Sequence, residues 1–353
     1  MSKLPIFFSS QTHFEQQFTD GLQQLLHKPN LGSYILALAN STLSANLFES
    51  LQQPLKHQFD QFQDMLFDAM AQGTDPQIAD DDLMVFLKLA LLGFDNLGLA
   101  EQRSAKQWQI HFNHLRAFKP QRMTTQAAPP LEVPFNKQGF HFDKPFLKKE
   151  ALWEGECLNK NISLFYNKYP FTDFHCLLIP EKEQHHPQYL TETLHHYIFH
   201  LVEQLSAQFG HAKLGYNAMG ALASVNHCHF QLCLPLHPFP IELTHWSHNG
   251  GQTPYPTKVE RFTSATLSWQ YISDLHNSEQ AYNLLYTTDG CYIMPRRSQG
   301  TYQTVNWSSG FTWFELSGAM ITFNRAHYDE ISATVIKSSL QTLDLSQSPT
   351  VNP

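Results

Sequence analysis

A chain of 353 residues, 42% apolar and 13% aromatic with 27 phenylalanines, has material for one large or two unequal domains. Its formal charge of -8 excludes non-specific nucleic-acid binding through a basic field. Five cysteines, at 157, 176, 228, 233 and 291, form neither a CxxC pair nor a framework of spaced pairs, which suits a reducing compartment. The first residues lack the apolar core of a signal peptide. The most apolar later run, 83–92, is about half the ~20 residues that a membrane span needs and contains Lys88. A soluble, cytoplasmic protein is expected.

Residues 12 to about 105 read as helical. Phe14, Phe18, Leu22, Leu25 and Leu26, then Leu55, Phe59, Phe62 and Leu66, recur every three or four positions, the spacing of one helix face. Asp80, Asp81 and Asp82 give an acidic start to a buried helix over 83–87, ended by Gly93 or Gly98. Stripes of this kind belong to a core rather than to a ligand pocket. Residues 108–112 alternate as a strand, and 117–147, without a period, read as a long crossing loop. Strands over 162–166 and 175–180 form an antiparallel pair around a turn, followed by a helix over 189–209. Residues 237–280 are mixed and polar. A hairpin over 282–294 turns at Thr288-Asp289-Gly290; 311–323 reads as a strand and 328–340 as the last helix. The divisions expected are a helical N-terminal region over 1–105, a second domain over 106–345, and a flexible Ser/Pro/Asn-rich tail over 346–353.

Residues 215–235 carry the chemistry. His227, His229 and Gln231 stand at alternate positions, so a strand would put them on one face, with Cys228, Phe230 and Leu232 on the other. A neutral imidazole can attack phosphorus and form a phosphoramidate, dividing one hard displacement into two easier ones. It needs its other ring nitrogen held by an acceptor. The phosphate needs donors where negative charge builds up. Gln231, Ser224, His227 and the backbone of the small-residue turn 217–221 are the candidates. A buried strand with satisfied polar groups, or two histidines on a metal, would explain the same pair.

The surrounding residues favour the phosphate reading. Gly215-Tyr216-Asn217, the small run to Ala223, Ser224-Val225-Asn226, then His227-Cys228-His229-Phe230-Gln231 resemble the histidine-triad superfamily. The resemblance is to its galactose-1-phosphate uridylyltransferase branch, in which Gln replaces the third His, and most of all to the GDP-L-galactose and GDP-D-glucose phosphorylases. Pro238-Phe239-Pro240-Ile241-Glu242, the Asn167-Lys168-Tyr169-Pro170 turn with residues 175–180, and Trp313-Phe314-Glu315-Leu316-Ser317-Gly318 are similar to further motifs of that family. The likeness spans about 108–335 and is most specific at 215–242.

The resemblance implies an α+β fold, an antiparallel-sheet histidine-triad-like domain behind the helical region. It implies a nucleotidyltransferase that cleaves a nucleoside diphosphate sugar, GDP-hexose by preference, with phosphate as acceptor. His229 would be the nucleophile, Gln231 would hold a non-bridging oxygen, and His227 would support the phosphate site. Ser224, Asn217 and Asn226 would face the phosphates, and Asn167 the ribose or base. Nucleotide sugar and inorganic phosphate are the expected partners, with no nucleic acid and no membrane; a homodimer is left open. No cofactor is required and no metal site is assigned, because the CxxC of zinc-containing relatives is missing; a divalent ion is left open. The alternatives are a phosphorylase or hydrolase of dinucleoside polyphosphates, diadenosine tetraphosphate above all, and a nucleotide-binding protein without turnover. Elsewhere, His196 and His200 lack the Glu of an HExxH pattern, and Arg296-Arg297 reads as a solvated hairpin end in preference to a phosphate clamp.

Overall fold

The computed structural model describes residues 4–27, 30–120 and 128–346. Helices α1 (Gln11–His27), α2 (Leu31–Ser41), α3 (Ala45–Gln72) and α4 (Asp80–Leu92) come first. Strands β1 (Glu101–Ala105) and β2 (Trp108–Phe112) follow, and after the crossing segment β3 (Ala151–Cys157), β4 (Lys160–Tyr166) and β5 (Cys176–Pro180). Then come α5 (Glu192–Phe209), β6 (Lys213–Asn217), β7 (Phe230–Cys233), β8 (Glu260–Phe262) and α6 (Ala265–Asn277). The chain closes with β9 (Tyr282–Thr287), β10 (Gly290–Pro295), α7 (Trp313–Leu316), β11 (Ala319–Thr322), α8 (Arg325–Glu330) and α9 (Ala333–Gln341). The tail beyond Ser346 lies outside the described residues.

Eight strands form one sheet in the order β3-β4-β5-β7-β6-β9-β10-β8, every neighbouring pair antiparallel. β1, β2 and β11 form a second, smaller sheet in which β11 runs parallel to β2. The large sheet separates two cores. On one face Leu214, Tyr216, Phe230, Leu232 and Tyr286 pack under α5, and the helical first third joins the same core through Phe14, Phe18 and Leu22. Tyr166 in β4 fixes that junction, its hydroxyl donating to the Phe18 carbonyl at 2.8 Å. The opposite face carries Cys233, Leu285 and Met294 against Trp313 and Phe314. Near β4 and β5 that face bears a third cluster of Phe142, Phe165 and Ile179. The α+β architecture expected from the sequence is the one found.

The C-terminal motifs are packing devices. A Cβ on Gly215 would overlap the Trp313 indole, so only glycine lets that ring lie on the sheet. Glu242 accepts from the Phe239 N–H and pairs with Lys213 at 2.5 Å, and the Ile241 N–H donates to the Ser317 carbonyl. The stretch read as a strand over 311–323 begins as a helix, because Thr312 and Glu315 form a capping box, and turns to strand only at Ala319. The last helix is two, broken between Glu330 and Ala333, with Asn324 and Ser332 capping each. Arg296 is neither solvated nor a clamp: it is fully buried, donating to the Phe311 and Arg297 carbonyls and to the Tyr302 hydroxyl.

Candidate active site

β7 begins at Phe230, so His227 and His229 lie in the approach to the strand rather than within it. Gln231 stands opposite Gly215 of β6 and Leu177 of β5. Beyond that pair the ladder stops, and the Gln188 amide stands between the Asn217 carbonyl and the His229 N–H. Gln231, opposite the Gly215 that lies under Trp313, Asn217, bonded to the Trp313 N–H, and His229, against Phe142, all lie on the face away from α5.

His229 is 6% exposed and is held at three points. Its backbone N–H donates to Gln188 Oε1 at 2.8 Å, and its carbonyl accepts from Gln188 Nε2 at 3.2 Å. Its ring Nδ1 lies 2.8 Å from the His227 carbonyl. A carbonyl only accepts, so Nδ1 carries the proton and Nε2 keeps its lone pair. No described residue hydrogen-bonds that Nε2. Burial lowers the imidazole pKa to about 4, against a small opposing pull from the His227 carbonyl, so the ring is neutral near pH 7. The adjacent thiol of Cys228 is pushed up to about 12 by burial on the other face, which removes it as a rival nucleophile.

His227 serves a different neighbour. Its Nδ1 accepts from the Phe142 N–H at 3.1 Å, and its ring packs among Phe135, His141, Phe142 and His185. Burial first, then His229, His141 and His185, lower its pKa to about 3. The crossing segment over 128–150 is thereby laid across the histidines, and the Phe142 ring sits 5.1 Å from that of His229. Asn226 fastens the same segment. Its NH₂ donates to the Val133 and Pro134 carbonyls and its Oδ1 accepts from the Gln188 N–H, which commits the amide to backbone.

The remaining sequence candidates divide. Asn217 Oδ1 accepts from Asn283 at 2.6 Å and from the Trp313 N–H at 2.9 Å, leaving its NH₂ with no described partner. Ser224 is exposed on the turn. That turn spends the amides of Ala218, Ala221 and Ala223 on the Tyr282 and Ala218 carbonyls, so they are not donors to a ligand. The Asn167 amide faces inward, to the Tyr169 N–H and to His175. Among the described residues no group of three His, Cys, Asp or Glu is placed to hold a metal ion.

Residues 98–233 match the family described as GDPGP1-like, N-terminal domain. Over that stretch the chain is similar to the GDP-hexose phosphorylases. Over 116 residues it is 35% identical to GDP-D-glucose phosphorylase 1 of Danio rerio, a stretch that covers 31% of each chain, so it matches about a third of that relative's length. The crystal structure of yeast Ap4A phosphorylase Apa2 superposes with a TM-score of 0.50 at 16% identity, covering 77% of this chain and 98% of that one. The same enzyme in complex with Ap4A gives 0.48 at 14% identity, covering 76% and 98%. The first superposition shows a shared fold. Both the relationship read from the central motif and the fold class thereby stand. Among the described residues no helix is long and apolar enough to cross a membrane.

Sequence reasoning missed Gln188. Fully buried, it bridges the end of β6, at the Asn217 carbonyl, to His229. Replacing it with leucine keeps the volume and strands an N–H and two carbonyls, so Gln188→Leu should cost about 3 kcal/mol of unfolding free energy. Urea titration would read that as a lowered midpoint at unchanged slope, and a loss below about 1 kcal/mol would contradict it.

Proposed function

We propose that this protein is a nucleotidyltransferase that cleaves a nucleoside diphosphate sugar through a covalent nucleotidyl-histidine, with inorganic phosphate as acceptor. The observation that carries the reading is the His229 ring. Its Nδ1–H is committed to the His227 carbonyl and its unpartnered Nε2 shares a face with two carboxamides.

In the first step Nε2 of His229 attacks the α-phosphorus. The bond to the bridging oxygen breaks, and sugar 1-phosphate leaves with the bonding electrons. The NH₂ groups of Gln231 and Asn217 donate to the non-bridging oxygens, where charge builds up, and the Ser224 hydroxyl meets the phosphates from the turn. The adduct is positively charged, and Nδ1–H stays bonded to the His227 carbonyl. In the second step a phosphate oxygen attacks the same phosphorus, the P–N bond breaks, and a nucleoside diphosphate departs, restoring neutral His229. No organic cofactor takes part, because the imidazole itself carries the intermediate. His227 holds the crossing segment, and its backbone aims His229. A GDP-hexose donor is favoured by the zebrafish relative, which is a GDP-D-glucose phosphorylase. A cytoplasmic location agrees with five cysteines all free and buried.

The test is intact-mass analysis after incubation with a panel of nucleotide sugars and diadenosine tetraphosphate, without phosphate. A gain of one nucleoside monophosphate that disappears on adding phosphate is the expected result. Adduct from the GDP-sugar alone selects the leading reading, and adduct from diadenosine tetraphosphate alone selects the dinucleotide alternative. Binding without adduct would leave a nucleotide-binding protein.

A further inference from the structure

A carboxamide offers oxygen at one end and NH₂ at the other, and only the NH₂ assists a phosphate oxygen. Which end Gln231 turns to the site depends on what holds the other. At the entrance to β5 the imidazole of His175 places Nε2 3.1 Å from Gln231 Oε1. Asn167 Nδ2 approaches the same ring, 3.5 Å from Nδ1 and 3.2 Å from Nε2. Asn167 Oδ1 accepts from the Tyr169 backbone N–H at 2.9 Å.

One group in this row has a direction fixed by its covalent structure: a backbone N–H can only donate. Asn167 must meet it with oxygen, so the asparagine NH₂ faces the ring. That NH₂ lies nearer Nε2 than Nδ1, but Nε2 also faces Gln231 Oε1, an oxygen that only accepts, so Nε2 is the donor and the lone pair left for the NH₂ is on Nδ1. The proton sits on Nε2 and is donated to Gln231 Oε1. What remains facing outward is the glutamine NH₂.

We propose that His175 is a positioning residue that locks Gln231 with its NH₂ toward the phosphate, as the last link of a relay running from the Tyr169 N–H through Asn167. The proposal rests on nucleotidyl transfer at His229 as the reaction. The surroundings suit such a lock. His175 is fully buried, with the Phe171 ring 4.1 Å from its own and the Arg116 guanidinium 5.2 Å over that phenylalanine. Burial and then the Arg116 charge lower the His175 pKa to about 3, so the ring holds a single N–H, as a directional relay requires. An imidazolium would donate from both nitrogens and turn Asn167 around. The anchor at the far end comes from the helical first third, where Asn40 of α2 donates to the Asn167 carbonyl at 2.9 Å.

The test uses the reach of side chains. Glutamine at 175 carries an NH₂ near the place of the imidazole Nε2, whereas asparagine reaches only to that of Nδ1. In single-turnover formation of the nucleotidyl-enzyme, His175→Gln should stay within about 3-fold of wild type, while His175→Asn and His175→Ala should fall about 10–100-fold in rate with little change in affinity for the donor. In a Gln231→Ala background the His175 substitutions should add nothing, since they act through that amide. Equal rates for His175→Gln and His175→Asn, or losses that multiply with Gln231→Ala, would overturn the proposal. Ring-nitrogen NMR of the resting protein gives a readout independent of turnover: neutral His175 with the proton on Nε2 supports the relay, and a proton on Nδ1 or on both nitrogens overturns it. Failure of the wild type itself to form an adduct would overturn the reaction, while the NMR tautomer still decides how Gln231 is turned.

Discussion

His229→Ala is expected to form no nucleotidyl-enzyme and to lose about 10⁴-fold or more of phosphorolysis, the loss typical of deleting a covalent nucleophile. Geometry favours this residue over its neighbours. The His227 ring accepts from the Phe142 N–H and cannot at the same time offer Nδ1 to phosphorus. Cys228 lies in the core on the opposite face with its thiol pKa near 12, so at pH 7 it supplies almost no thiolate. Cys228→Ala should therefore keep the mass adduct, and His229→Ala should lose it while nucleotide sugar still binds within about 10-fold, since Gln231 and Asn217 remain. An adduct persisting in His229→Ala would move the nucleophile elsewhere and overturn the reading.

The parts of this protein that sequence reveals are those governed by short-range pattern. The 162–180 hairpin, α5 and the 282–294 hairpin follow from period alone, and His229, Gln231 and Asn217 sit in one continuous motif. Where pattern fails, the cause is visible. α2 is buried on every side, so it has no polar face to generate a 3.6-residue period. α6 declares itself mainly through the Ser264 cap within a polar stretch. β3 is an edge strand in which Trp153-Glu154-Gly155-Glu156 alternates weakly. The supporting groups of the site were illegible for a different reason. Gln188 lies 41 positions from His229, and His175 lies 56 from Gln231, so only folding brings each pair together. Asn283 left a trace, the one amide in the apolar strand 282–286, and it fixes the orientation of Asn217. Asn167 and Asn226 show the reverse case: motif position pointed to ligand, but their amides are taken up by the protein's own backbone and by His175.

Acid should unfold this protein near pH 5, well before His229 itself titrates. His111, His175, His195 and His229 are held neutral by burial, with pKa values lowered to about 4, 3, 4 and 4. In the unfolded chain each titrates near 6.5, so below that pH the unfolded state binds more protons and stability falls as pH falls, down to the folded values. By pH 5 each group costs about 2 kcal/mol relative to neutral pH. Asp173 works in the opposite direction: burial raises its pKa to about 6, so the folded state takes up its proton first and returns about 1 kcal/mol by pH 5. The net loss, on the order of 7 kcal/mol, is comparable with the whole stability of an ordinary domain, about 5–15 kcal/mol. His227 and His276 push the same way. The acid limb of the activity profile should thus coincide with loss of tertiary structure by near-UV circular dichroism, and not with a single ionisation near 4. His111 separates the two, since it lies in the small sheet with Nε2 buried and unpartnered. His111→Leu removes one of the four groups without breaking a hydrogen bond, and should move the acid midpoint down by about 0.3–0.5 pH units. A folded wild type at pH 4, or a midpoint indifferent to that substitution, would mean that these imidazoles are charged inside the protein.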